Sequence, residues 1–296
     1  MSTLLMIKRE AEKIKKMYDE DPRNQTFNCI VHGPIKVGKT SLVKTCPKPV
    51  LIHSFDPGGT DVLKDMINTG EILADTNFER EDPFKPLACQ LWEDTFNNLY
   101  RRGFFNHVGT YVIDSMTTWA QVIMYEVIRR AAVKTKKSVK KDRIRKCGDA
   151  PRKQDWMPQM AFIENYMRKF LSLPCNCILM GHSDQPTDDE GNPTGDKGIM
   201  ITGKLRERVP ALFSEIYYLR MKDFKKETRE LLVKPTYGIQ VGTRLGNNGK
   251  LDRIEPPDIK AIMRKVGLDT ADKPLFKDMI MEDMISEEKE DKKKED

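Results

Sequence analysis

Gly33-Pro34-Ile35-Lys36-Val37-Gly38-Lys39-Thr40, followed by Ser41, has the spacing GxxxxGK[ST]. Glycines at both ends of the turn let the backbone curl until its N–H groups point inward, an arrangement that cradles phosphate oxygens. Lys39 is then placed to reach the β and γ oxygens of a nucleoside triphosphate, and the Thr40 hydroxyl to ligate Mg2+. The apolar stretch TFNCIVHG (26–33) precedes the loop and helix-forming TSLVK follows it, as such a site requires. At average residue frequencies a chance match in a chain this long has odds of roughly one in a hundred.

A phosphate loop needs a second carboxylate on the Mg2+ side, at the end of a neighbouring strand. Asp114, behind the apolar run of TYVIDS, fits that place. Asp is also a favoured helix N-cap, so the same residue could simply start the next helix. The residue after it is Ser115, not Glu, which argues against the AAA+ and helicase patterns, where two acids adjoin. Asp56 in HSFDPGG ends the following apolar strand and could orient water at the γ-phosphate. Asp-Pro-Gly-Gly is equally a strong turn former, and both readings stand. His182 closes NCILMGHS, where it could report the γ-phosphate to the next loop or serve only as a satisfied structural group.

These residues need a scaffold. Strand patterns cover 26–33, 49–56, 107–115, 176–183, 214–220, 229–235 and 237–244. Helical patterns cover 4–18, the stretch from Lys39 to Thr45, 92–102, 117–132, 157–172 and 255–267. Alternation of the two predicts an α/β fold with a mainly parallel central sheet covered on both faces. The late strands, without helices between them, predict an antiparallel C-terminal extension. The organisation expected is an amphipathic helix over 1–20, its apolar face either covering the chain's own core or packing as an arm on a neighbouring protomer. A single core follows over 21–267, then a C-terminal helix and charged disordered tail over 268–296.

The chain has 296 residues, 39% hydrophobic and 32% charged, with a net charge of +6. No apolar run approaches the roughly 20 residues a membrane helix needs, and the charged N-terminus does not resemble a signal peptide. Six cysteines without a metal-ligand spacing read as reduced thiols of a cytoplasmic protein. The charge is unevenly placed. Residues 129–153 carry twelve Lys and Arg against Asp142 and Asp149, a balance of +10, so the remainder sums to −4. Such a patch suggests an anionic polymer partner, although a solvated basic helix extension would show the same composition.

In order, GPIKVGKTS, VLIHSFDPGG, YVIDSMT, the stretch from Asp155 to Asp184, FSEIYYLR and GTRLGNNGKLDRIEPPDI resemble the RecA-type ATPase core. More closely, they resemble short phage-encoded RecA-like proteins that include single-strand annealing ATPases. The resemblance spans about residues 26–267. It implies a RecA-like P-loop NTPase core with ATP and Mg2+ at Gly33–Ser41, and Asp114 on the metal side. It puts Asp56 where the family keeps a water-activating carboxylate, commonly the longer Glu, and His182 where it keeps a γ-phosphate sensor. Arg244 falls where a basic pair reaches the neighbouring subunit's nucleotide, although Gly242 stands at the first position of that pair.

Two loops of such cores face a DNA channel. Here the first would carry Lys134, Lys136, Lys137, Lys140, Lys141, Arg143, Arg145 and Lys146, with Trp156 as a stacking platform. The second, 184–208, would carry Lys197, Lys204, Arg206 and Arg208 among glycines. The function expected is a Mg2+-ATP-dependent, single-stranded-DNA-binding ATPase of phage recombination, annealing or replication. It would work in the host cytoplasm as a ring or filament with ATP at subunit interfaces, alongside a single-strand DNA-binding protein and without a membrane. Two other readings are a nucleotide kinase, and a DNA-binding module with a structural, non-hydrolysing nucleotide site.

Overall fold

The computed structural model describes residues 3–21, 24–136, 145–223 and 225–279, with side chains of 134–136 excepted. The first five strands pair in parallel: β1 (Asn28–Gly33), β2 (Val50–Ser54), β3 (Ile72–Asp75), β4 (Thr110–Asp114) and β5 (Asn176–Asp184). Four of these were expected; β3 was not, because four residues are too few to show an alternation. Next come the two-residue β6 (Gly198–Ile199), then β7 (Glu215–Asp223), β8 (Thr228–Leu232), β9 (Gly242–Thr243) and β10 (Ile254–Glu255). Among the described residues the sheet order is β10-β8-β7-β1-β5-β4-β2-β3, with β6 on β5 and β9 on β7. β7 lies parallel to β1, whereas β8, β9 and β10 pair antiparallel. This is an α/β fold with a mostly parallel mixed sheet and antiparallel strands at its C-terminal end, consistent with a P-loop NTPase core.

Side-chain alternation splits the core in two. Ile30, Leu51, Tyr111, Ile113, Cys177 and Leu179 face one cluster with α3 (Ala88–Arg101), α4 (Met116–Lys136), α5 (Trp156–Phe170) and α6 (Leu205–Leu212). Cys29, Val31, Ile52, Val112 and Ile178 face the other, under α7 (Ile259–Val266). A short helix, α2 (Lys64–Asn68), leads into β3. Strands buried on both faces explain the unbroken apolar runs in the sequence. α6 escaped prediction because Pro210 lies inside it.

Three expectations are corrected. The stretch after Lys39 is a 3-10 turn, Thr40–Thr45, not an α-helix, since Pro47 follows closely. Of 237–244, only Gly242 and Thr243 join the sheet. The preceding residues form a loop whose ladder is with Lys197: Lys197 N–H donates to Gly238 O, and Gln240 N–H to Lys197 O. Helix α1 (Thr3–Asp19) buries none of its residues, so its apolar face does not cover the core of its own chain. Asn24 and Gln25 side chains donate to Tyr18 O and Asp19 O, closing the helix before β1 begins.

All six cysteines are free, and all but the half-buried Cys147 are buried. Among the described residues no helix is long and apolar enough to cross a membrane.

Candidate nucleotide site

The C-terminal ends of β1, β5, β4 and β2 bring together what the sequence disperses. Gly33 stands opposite His182 across β1–β5, and Ser54 opposite Asp114 across β2–β4. Such an edge is where open α/β sheets bind ligands.

Gly33 is required by close approach: a Cβ there would sit 2.4 Å from Leu219 O. Gly38 is required by conformation, with φ +96. The loop between them turns through Lys36 at φ 61, and Ile35 at its crest is exposed. Lys39, only 6% exposed, folds back along it. Its Nζ donates to Gly33 O (3.1 Å), Pro34 O (2.8 Å) and His182 Nδ1 (3.4 Å). Burial pulls the lysine below its ordinary pKa, while Asp114 and Asp56 pull it back up.

Thr40 Oγ1 donates to Asp114 Oδ2 at 2.6 Å. Burial raises the Asp114 carboxyl to about 6; the Thr40 bond opposes this and the Asp56 charge adds to it. Among the described residues no cluster of three His, Cys, Asp or Glu forms a metal cage. Mg2+ does not need one: it is held by one or two protein oxygens with phosphate and water completing the shell. Thr40 and Asp114 are such a pair of hard oxygen donors, already in contact, so they fit Mg2+. The ion would supply charge neutralisation at the phosphates.

Asp56 accepts from Ser115 Oγ (3.0 Å) and from Thr118 Oγ1, and His182 Nε2 lies 3.3 Å from its Oδ2. Burial raises this carboxyl, but the bonds from His182, Thr118 and Ser115 outweigh it and hold Asp56 below its ordinary value. It is thus a charged, oriented carboxylate and not merely the start of a turn. Because His182 Nδ1 accepts from Lys39, the ring proton lies on Nε2 and points at Asp56. Lys39, His182 and Asp56 form one chain of hydrogen bonds. The His182 carbonyl also accepts from Met200 N–H (2.7 Å), fastening the chain to the loop at 184–208. A group drawing Lys39 toward phosphate would break its bond to His182 and free the ring to turn.

Sequence reasoning missed Arg229 on β8. Its Nε donates to Val37 O at 2.7 Å, and a Cβ on Gly38 would lie 2.8 Å from that Nε. An arginine two strands from the phosphate loop carries no local signal.

Arg244 is not part of this cluster. Its neighbour Thr243 stands opposite Glu215, which stands opposite Cys29, so Arg244 lies at the other edge of the sheet. There its side chain donates to Ala211 O and its backbone N–H to Glu215.

Of the basic segment, Lys137, Lys140, Lys141 and Arg143 lie outside the described residues, as do the side chains of Lys134 and Lys136. Arg145 is corrected: it is 1% exposed and paired with buried Asp155, Nη1 to Oδ1 at 2.6 Å, so it has no surface to offer DNA. Arg129 and Arg130 both pair with buried Glu126. Because Glu126 and Asp155 flank the window counted above, the balance over 126–155 is +8. Lys146 is exposed and Trp156 half-buried at the start of α5. In the second loop Lys204 is exposed, whereas Arg206 donates to Asp184 O and Asp196 O and Arg208 pairs with Glu164 (2.9 Å). Those two arginines are tied to the scaffold.

No curated protein matches the chain. Among solved structures, it is similar to an ATPase from the type III secretion system of pathogenic bacteria, with TM-score 0.45 and 10% identity. The match covers 75% of this chain and 58% of that one, so the chain spans less than two thirds of that protein's length. A family model described as an AAA domain matches residues 26–245. That match corrects the expectation drawn from Ser115: the lack of a second adjoining acid does not take the chain out of the AAA-named families, and Ser115 instead orients Asp56. Phosphate loop, Thr40–Asp114 pair and family model agree: the chain belongs to the AAA domain family (AAA_24), a family of P-loop NTPases.

Proposed function

We propose that the protein is a Mg2+-ATP-dependent ATPase of the RecA-like kind that binds single-stranded DNA and acts in phage recombination, annealing or replication. The observation that carries the nucleotide half is the convergence of Lys39, Thr40, Asp56, Asp114 and His182 on one edge of the sheet. Lys39 would hold the β and γ phosphates. Thr40 and Asp114 would hold Mg2+. Asp56, kept charged by three donors, would orient the attacking water. Asp is one methylene shorter than Glu, so turnover is slow, and His182 passes the nucleotide state to the loop at 184–208.

The DNA half is supported by the charge that survives internal pairing. Even with Glu126 and Asp155 counted, residues 126–155 keep a balance of +8 in a chain of +6 overall. That segment, with Lys204, would track a phosphate backbone, and oligomerisation along the strand in a ring or filament would follow. A single-strand DNA-binding protein would share this substrate. The domain division into 1–20, 21–267 and 268–296 belongs to the same proposal.

Binding of a labelled oligonucleotide with and without Mg2+-ATP tests it. If six cations meet phosphates, log K falls against log salt with a slope of about −4, at −0.7 per contact. Affinity should also depend on ATP in the wild type and not in Lys39→Ala. Binding indifferent to ATP would instead favour a module with a structural nucleotide site. No binding at low salt would refute the DNA half.

A further inference from the structure

We propose that the nucleoside end of a nucleotide on the phosphate loop lies against Arg229, in the groove between the β7–β8 hairpin and the Pro256–Pro257 turn. This rests on reading Gly33–Thr40 as the phosphate site, and adds where the rest of the ligand goes.

The groups that would meet the terminal phosphate, Asp114 on β4, His182 on β5 and Asp56 just beyond the end of β2, lie to one side of β1. A nucleotide threaded through the loop must therefore leave it on the opposite side, over β7 and β8. Arg229 stands in that path. In register with Met221, it lies two residues beyond Leu219, the residue whose carbonyl abuts Gly33. From there its side chain reaches across β7 to Val37 O at 2.7 Å.

The anchoring bond uses only Nε. Among the described residues, the two terminal nitrogens of the guanidinium make no hydrogen bond or ion pair, and the residue is exposed. The nearby carboxylates have other partners: Glu230 pairs with Arg220 and Glu255 with Lys265. Beside Arg229 opens a groove of about 510 Å³, lined by Thr228, Pro256 and Pro257 and by balanced charges, Lys222 and Lys226 with Arg229 against Asp223, Glu230 and Glu255. Its volume falls in the range of small-ligand sites, roughly 300–1,000 Å³. A planar guanidinium held at one nitrogen offers a flat face to a base and free donors to a ribose hydroxyl. The proline rings offer apolar surface to the base.

Binding of Mg2+-ATP, ADP and inorganic tripolyphosphate to the full chain tests the assignment, comparing wild type with Arg229→Ala and Thr228→Trp. Thr228 is exposed, so the bulky substitution fills the groove without entering the core; thermal midpoints check that both variants fold. Both should lose about tenfold or more in affinity for ATP and ADP while tripolyphosphate affinity stays within about twofold. Nucleotide affinity untouched by Thr228→Trp, or a loss that tripolyphosphate shares in full, overturns the assignment. Lys39→Ala separates the premise from the proposal: tripolyphosphate binding that survives it refutes the phosphate site itself, whatever the groove does.

Discussion

Asp114 is buried, accepts a hydrogen bond from a threonine hydroxyl, and feels the charge of a second carboxylate, Asp56. Its carboxyl titrates near 6, against 3.8 for the free side chain. Between those values the folded state binds the proton more tightly than the unfolded chain, so rising pH across that window lowers stability. Removing the charge should therefore help the nucleotide-free fold while destroying the metal side of the site. Asp114→Asn is expected to have a higher thermal midpoint than wild type at pH 7.5, a smaller advantage at pH 5, and no Mg2+-dependent nucleotide binding. A variant no more stable at pH 7.5 would show that Asp114 is not strained by its burial. This residue, with Lys39, Thr40, Asp56 and His182, was legible because each sits in a motif or closes an apolar strand. Arg229 was not, because its relation to the loop is created by strand order and not by spacing.

Between residues and the whole lie the elements that carry the charge outward. Arg145 reads in sequence as one more cation in a basic run, yet it is a clasp. Its two-point pair with Asp155, the N-cap of α5, pins the return of the basic segment to the body. Only the fold could show this, since the acid that claims Arg145 lies ten residues on, outside the run. Arg145→Ala would leave a buried carboxylate unpaired, at a cost of roughly 3–5 kcal/mol. Chemical denaturation should read that loss, whereas the same change at exposed Lys146 should read near zero. Equal effects would mean that Arg145 is surface. The strands were legible for a similar reason in reverse: burial on both faces makes them continuous apolar runs, whereas α6 and β3, interrupted or short, left no period to read.

At the scale of the molecule, the sheet has a nucleotide edge and a clasped basic segment, and the proposal joins them. The chain from Lys39 through His182 leads to the loop at 184–208, which carries exposed Lys204. The fold class followed from alternation of strands and helices, and the antiparallel strands at the end from the absence of helices between them. The covering of α1 could not follow, because an amphipathic period states that a face wants burial and not what buries it. The measurement that tests the central claim most directly is ATP turnover by the wild type and Lys39→Ala, with and without single-stranded DNA, at low and moderate salt. The account predicts slow turnover that DNA stimulates, that salt weakens, and that the Lys39→Ala variant lacks. Turnover unaffected by DNA would contradict the coupling, and turnover surviving Lys39→Ala would contradict the site.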